Sequence, residues 1–300
     1  MTATMEPLAA TLLITLVAEG RLSLADAATA SDALRALGAE PSAPSWIDLG
    51  DALDLTATGT NAPAARTALE AALPDLDIIV QSAATPRRKS LLIADMDSTM
   101  ITVECIDELA DYAGLKAQVA AVTEAAMRGE LDFEAALDAR VALLAGMDAA
   151  VLDQCRRERV RLMPGARALV RTMAANGAHT LLVSGGFTAF TAPVAAEIGF
   201  ASNQANTLQI ANGKLTGRVA RPIVDAAAKR AALLAAGIPL PATLAVGDGA
   251  NDIPMLETAG LGIAYHAKPR AAAAADAAVR HGDLTVLLRA QGYRRSDWAA

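Results

Sequence analysis

Cysteine is scarce: Cys105 and Cys155 are the only two in 300 residues. They form no CxxC pair and no zinc-type spacing, which excludes a cysteine-built metal site and a disulfide scaffold. Reduced thiols in a cytoplasmic protein are expected. Aromatic residues make up only 3%, so the core has to be built from Ala, Leu, Val and Ile, with helices well represented. Positive charge is not in excess. The 26 Lys and Arg face 33 Asp and Glu, for a net charge of −7. That argues against broad nucleic-acid binding, which must neutralise many phosphates. An anionic small molecule stays compatible, because a metal and a few local cations can reverse the sign at one site. Long apolar runs are missing too. PLAATLLITLVA (7–18) is too short to span a bilayer. No Lys or Arg precedes Arg21, so a secretory leader is not expected. The stretch reads as a strand, and no membrane partner is expected.

What is present divides at a polar, basic link, TPRRKS (85–90). Before it, residues 1–84 read as a small α+β domain. The strand ATLLITLVA is followed by the helix SLADAATASDALRALGA, with Ser23 as N-cap and Gly38 near its end. A strand over SWIDLGDALDLTAT, a helix APAARTALEAALP closed by Pro74, and a strand DLDIIVQSA complete it. This order is ferredoxin-like, βαββαβ with one strand unclear, as in ACT domains. No residue in it proves a ligand. A regulatory unit and a packing or dimerisation module are both open, which leaves a homodimer open as well.

After the link, 85–300 alternates. Helices fill about 104–160 with no convincing strand. Then come the helix GARALVRTMAANG, the strand HTLLVSGG, a helix interrupted at Pro193, and a hairpin NTLQIANGKLTGRV turning at Asn212-Gly213. The helix VDAAAKRAALLAAG and the strands TLAVGDG and GLGIAYHA follow, with the Ala271–Ala275 run in a further helix. The expected fold is α/β: a Rossmann-like, mainly parallel sheet with an inserted helical cap, preceded by the small ACT-like domain.

In such a sheet, ligands gather at the carboxyl ends of the strands. Three strands here end in polar residues, at Asp95, Ser184 and Asp248. In LLIADMDSTMI, Asp95 and Asp97 stand two apart. Close carboxylates stay charged beside a cation, or one takes up a proton. One could then serve as nucleophile and the other as acid. Asp248, Asn251 and Asp252 in GDGANDIPML offer hard oxygen ligands of the kind magnesium prefers. SGGF supplies the Ser184 hydroxyl and backbone N–H groups to phosphate oxygens. Lys229, on an Ala-rich helix, supplies positive charge. Each piece also has a plainer explanation: an acidic turn, a loop, a helix cap, a solvated lysine. Together they make a phosphoryl-transfer constellation.

DMDST (95–99), SGGF (184–187), Lys229 and GDGANDIPML (247–256) resemble the haloacid dehalogenase superfamily of aspartate-nucleophile phosphatases. DSTMITVECIDELA (97–110) and TEAAMRGELDFEAALDARVALL (123–144) narrow the resemblance to its phosphoserine phosphatase branch. The likeness covers about residues 90–290. It implies magnesium-dependent hydrolysis of O-phospho-L-serine to L-serine and phosphate, the last step of serine biosynthesis, through an aspartyl phosphate. Asp95 would be the nucleophile. Asp97 would protonate the leaving oxygen and then activate water. Magnesium would be held by Asp95, the Asp97 carbonyl and Asp248, with Asp252 in support. Ser184, Gly185 and Lys229 would bind the phosphoryl group. Glu104 would meet the substrate ammonium and Arg140 its carboxylate, as an Arg fork suits. Met127 and Phe133 would form an apolar lid, Gly186 would help close the pocket, and Asn251 would position groups nearby. A phosphotransferase to another alcohol such as homoserine, a hydrolase for a different small phosphomonoester, and a non-catalytic amino-acid sensor are the alternatives.

Overall fold

The computed structural model describes residues 11–128 and 130–300, the side chain of Met127 excepted. The first elements are β1 (Leu12–Val17), α1 (Leu24–Ala36), β2 (Glu40–Pro41), β3 (Ser45–Asp48), β4 (Ala52–Thr58), α2 (Ala62–Ala72) and β5 (Asp77–Ser82). They form an antiparallel sheet in the order β2-β4-β1-β5, with β3 also paired to β4. This is the ferredoxin-like order. The stretch SWIDLGDALDLTAT, expected as one strand, is two. Gly50 takes a left-handed φ of +81°, and the Asp51 amide closes the turn on the Asp48 carbonyl at 3.1 Å. Ser23 caps α1 as expected, in a reciprocal capping box with Asp26.

Both faces of this sheet are covered, which is why β1 and β5 read as nearly unbroken apolar runs. Ile14, Leu16, Leu53, Leu55, Ile78 and Val80 share a core with Leu34 of α1 and Leu69 of α2. Val17, Ala52 and Ile79 point the other way, as the period of two requires. They join the core of the C-terminal part. The link is pinned rather than loose: Arg87 pairs with Asp54 at 2.8 Å, and Lys89 is buried with Nζ donating to the Pro241 carbonyl at 2.9 Å.

The C-terminal part opens with β6 (Leu91–Ala94). The helices α3 (Cys105–Tyr112), α4 (Lys116–Met127), α5 (Phe133–Ala142) and α6 (Ala150–Arg159) follow before the chain returns through α7 (Ala166–Ala175). Then come β7 (His179–Phe187), α8 (Thr188–Ile198), β8 (Ser202–Asn206), the hairpin β9 (Leu208–Ala211) and β10 (Lys214–Val219), and α9 (Ala226–Ala235). The remainder is β11 (Thr243–Gly247), α10 (Ile253–Thr258), β12 (Leu261–Tyr265), α11 (Pro269–Ala274), β13 (Ala277–Val279) and α12 (Val286–Ala290). Six strands make a wholly parallel sheet in the order β13-β12-β11-β6-β7-β8. Counted within this part, that is 6-5-4-1-2-3, the Rossmann order read from its other edge. The order reverses between β6 and β11, so the ligand crevice is expected beyond their carboxyl ends, where Asp95 and Asp248 lie.

Two local expectations need correction, and two strands were not foreseen. Pro193 does not interrupt α8, which runs through it. Phe190, Val194 and Ile198, at helical spacing, are buried in the core, and that packing outweighs one missing backbone donor. The strand from His179 does not stop at Ser184 but reaches Phe187, with an irregularity against β8. The edge strands β8 and β13 gave no apolar alternation to read.

Candidate active site

Asp95 follows β6 directly, and its amide continues the pairing with β11 through the Val246 carbonyl at 3.0 Å. Beyond it the chain coils tightly. The amides of Thr99, Met100 and Ile101 all reach the Met96 carbonyl. Asp248 follows β11 in the same way. Asp252, three residues before Met255 of α10, is fully buried and accepts the Gly249 amide at 3.0 Å. Gly247 is required by that carboxylate: a β-carbon there would lie 2.4 Å from Asp252 Cγ.

Lys229 is no solvated lysine. It is 0% exposed, and Nζ donates to Asp95 Oδ1 at 2.6 Å and to Asp252 Oδ1 at 2.7 Å. Burial alone would lower its pKa, but the charges of Asp95 and Asp252 more than offset that and hold it above the ordinary lysine value. One ammonium does not balance the acids around it. Asp95, Asp248 and Asp252 each offer an oxygen within 4.8 Å of the others. Burial first, and then the charge of Asp252, raise the Asp95 pKa well above the usual carboxylate range. Asp248 is pushed up to about 6 by burial, then by Asp252 and Glu104. Crowded all-oxygen donors with unrelieved negative charge fit a hard divalent cation such as magnesium, and no thiolate is among them.

Asp97 stands apart from that trio. Its Oδ1 accepts the Cys105 amide at 3.0 Å, at the start of α3, and its Oδ2 accepts from the Ser184 hydroxyl at 3.3 Å. Burial, then the nearby Glu104 charge, push it up to about 6. A carboxyl with that value exchanges its proton near neutral pH, as an acid–base group must. Burial and Asp97 drive the Cys105 thiol far up, and burial takes Cys155 up to about 11. Neither is a thiolate nucleophile.

A cavity of about 410 Å³ lies over these groups. Asp95, Asp97, Asp248 and Asn251 line it on one side, and Gly185 and Gly186 beside them. Glu104, Phe133 and Arg140 come from the inserted helices. Ser184, Lys229 and Asp252 are buried and reach the lining residues through the hydrogen bonds above. The side chain of Met127 lies outside the described residues. Both glycines are used for close approach. A β-carbon on Gly186 would meet Asp97 Oδ2 at 2.7 Å, and one on Gly185 would meet the Phe133 ring at 3.1 Å. The Gly186 amide donates to Ser184 Oγ at 2.8 Å.

Sequence reasoning missed three residues here. Asn206, buried at the end of β8, donates to the Gly185 carbonyl and accepts the Val224 amide, both at 2.8 Å, tying the SGGF turn to the approach of α9. Lys268 lines the cavity mouth, and its amide donates to the Asp248 carbonyl at 3.2 Å. Ser98 bonds Glu104. Asn206 sits in a polar strand, SNQAN, and Lys268 in a loop, so neither carried a pattern that could have found it. A larger groove, about 980 Å³, lies between α2 and α11. Its charged groups are already used: Arg66 and Arg280 both pair with Glu70.

A family profile described as haloacid dehalogenase-like hydrolase matches residues 92–257, more than half of the chain, and the chain belongs to that family of enzymes. The curated relatives that the chain matches include two named phosphoserine phosphatase. One, from Streptomyces coelicolor, is 49% identical over 253 residues, a match covering 82% of this chain and 62% of that protein. The other, from Polaromonas, is 48% identical over 223 residues, covering 70% of this chain and 94% of the relative. A crystal structure described as a probable phosphoserine phosphatase from Vibrio cholerae, unliganded, is similar with a TM-score of 0.76 at 34% identity. That match covers 96% of this chain and 88% of the other. Among the described residues no helix is long and apolar enough to cross a membrane.

Proposed function

We propose that the chain hydrolyses O-phospho-L-serine to L-serine and inorganic phosphate, with magnesium, as the last step of serine biosynthesis. The observation that carries this reading is the meeting, in one cavity, of two sets of groups. Asp95, Asp97 and Asp248 come from the sheet, and Glu104 and Arg140 come from the inserted helices. The first set suits a phosphate ester, and the second suits the two charged ends of an amino acid. The names of the relatives support the same substrate.

In this mechanism an Asp95 carboxylate oxygen attacks phosphorus. The P–O bond to the serine oxygen breaks as Asp97 gives that oxygen its proton. Asp97, now a carboxylate, takes a proton from water. The hydroxide attacks phosphorus, releasing phosphate and restoring Asp95. Ser184 and Lys229 hold phosphoryl oxygens, and fixed positive charge offsets the repulsion between an anionic nucleophile and an anionic ester. Asp95, Asp248 and the Asp97 carbonyl would hold magnesium, with Asp252 in support, and the ion would supply further positive charge at the ester. Phe133 excludes water from one side of the cavity. Residues 85–300 carry this activity in the proposal, and 1–84 act as an ACT-like regulatory or packing domain. The two free, buried thiols accord with a reduced, cytoplasmic setting.

The test is phosphate release from a panel of small phosphomonoesters, with magnesium present and chelated. Phospho-L-serine is expected to lead the panel, only with magnesium. A flat panel would overturn the substrate. New phosphate esters on adding homoserine would turn the reading to a phosphotransferase.

A further inference from the structure

Ser98 has a backbone that serine does not favour. Its φ is +55°, in the left-handed region where Gly or Asn sits more comfortably. A serine held there is using its hydroxyl. That hydroxyl donates to Glu104 Oε1 at 2.7 Å, a short bond to a charged acceptor of the stronger kind. Two neighbouring bonds brace the same loop: the Ser98 amide to the Val103 carbonyl at 3.3 Å, and the Cys105 amide to Asp97 Oδ1 at 3.0 Å. Glu104 occupies the N-cap position of α3 but makes no side-chain cap bond. Asp97 takes an amide of that first turn instead. The Glu104 carboxylate is thereby spared from the helix and held by Ser98 through one oxygen. Its second oxygen has no hydrogen-bond partner among the described residues, and Glu104 lines the cavity.

We propose that Ser98 is a specificity-determining positioning residue: its hydroxyl aims Glu104 so that the second carboxylate oxygen receives the ammonium group of the substrate. This deepens the reading above and rests on it. Ser98 touches neither phosphorus nor the leaving oxygen, so its effect falls on recognition of the ammonium group and not on phosphoryl transfer itself.

The experiment compares phospho-L-serine with 3-phosphonooxypropionate, which keeps the phosphate and the carboxylate and lacks the ammonium. Ser98→Gly removes the hydroxyl and suits the backbone. We expect it to raise KM for phosphoserine about tenfold, the size of one charge-assisted hydrogen bond, with kcat nearly unchanged. The deamino substrate is expected to change by less than about twofold, as ordinary for a surface change away from its contacts. In a Glu104→Ala background, Ser98→Gly is expected to be silent, the non-additivity of residues acting through one another. Equal losses on both substrates, or additive effects of the two substitutions, would overturn the proposal by making Ser98 a general support of the loop. No change in either substrate would overturn it as well. A wild-type enzyme that turns over the two substrates alike would instead remove the role of Glu104, and the proposal with it.

Discussion

Asp77 and Asp95 are both buried aspartates bordering an apolar strand, one in each sheet: Asp77 opens β5 and Asp95 follows β6. Asp77 is answered by neutral donors. Its Oδ1 accepts the amides of Arg280 and His281 at 2.6 and 3.2 Å, and its Oδ2 that of Gly282 at 2.7 Å. Those bonds join the antiparallel sheet to the loop after β13, and they leave the carboxylate nothing to do but hold. Asp95 is answered by one ammonium and faced by three further acids, Asp97, Asp248 and Asp252. The same side chain is a fastening in the first place and, in the function proposed above, the reactive group in the second. Burial alone distinguishes neither; the sign of what surrounds the carboxylate does.

The contrast can be broken at either end. The largest effect is expected at Asp95. Asp95→Asn keeps the volume and loses the nucleophile, so turnover should fall by about a thousandfold or more. Its melting temperature should not fall, since one charge leaves a crowded acidic cluster. Near-normal phosphate release by that variant would remove Asp95 from the chemistry. Next, Arg140→Ala is expected to lower kcat/KM for phosphoserine about a hundredfold, with a much smaller loss on an aryl phosphate. Matching losses would assign Arg140 to structure. At the other aspartate the prediction inverts. Asp77→Ala leaves three amides unanswered and should destabilise by about 3 kcal/mol, seen in urea unfolding, while kcat in native conditions stays near wild type. Smallest is a proton-linked effect. Asp97 and Asp248 are both raised to about 6, above their unfolded values. The native metal-free chain therefore holds protons that the unfolded chain releases between about pH 4 and 6, and stability contributed by these groups is lost as pH rises through 6. Magnesium competes with those protons, so its increase of the melting temperature should be greater at pH 7 than at pH 5. The opposite order would argue against these carboxylates as the metal site.

Much of this was readable in the residues. Ser23 reads as an N-cap and Asn212-Gly213 as a hairpin turn, and both appear where expected. LLIAD and TLAVGD announced buried strands ending in acids, because strand runs and their termini are local signals. What stayed hidden is long-range. Lys229 reads as the cation of the site, but a lysine among alanines gives no sign of burial, and only the approach of residues 134 and 23 positions away makes it a buried ion pair. Pro193 looked like a break because local propensity speaks first, while the packing of Phe190 and Ile198 decides. Asn206 had no periodicity around it. Ser98 lay inside a quoted motif, yet its left-handed backbone is invisible in the letters.

The second face of the antiparallel sheet bears on any attempt to shorten the molecule. Val17, Ala52 and Ile79 fill the same core as Leu287 and Leu288 of α12, and Asp48 and Asp51 are the counter-charges of the buried Arg289. A catalytic fragment cut out at the link would present wet leucines and an orphaned guanidinium. It would need redesigned α12 side chains to remain in solution, however complete its reactive cleft.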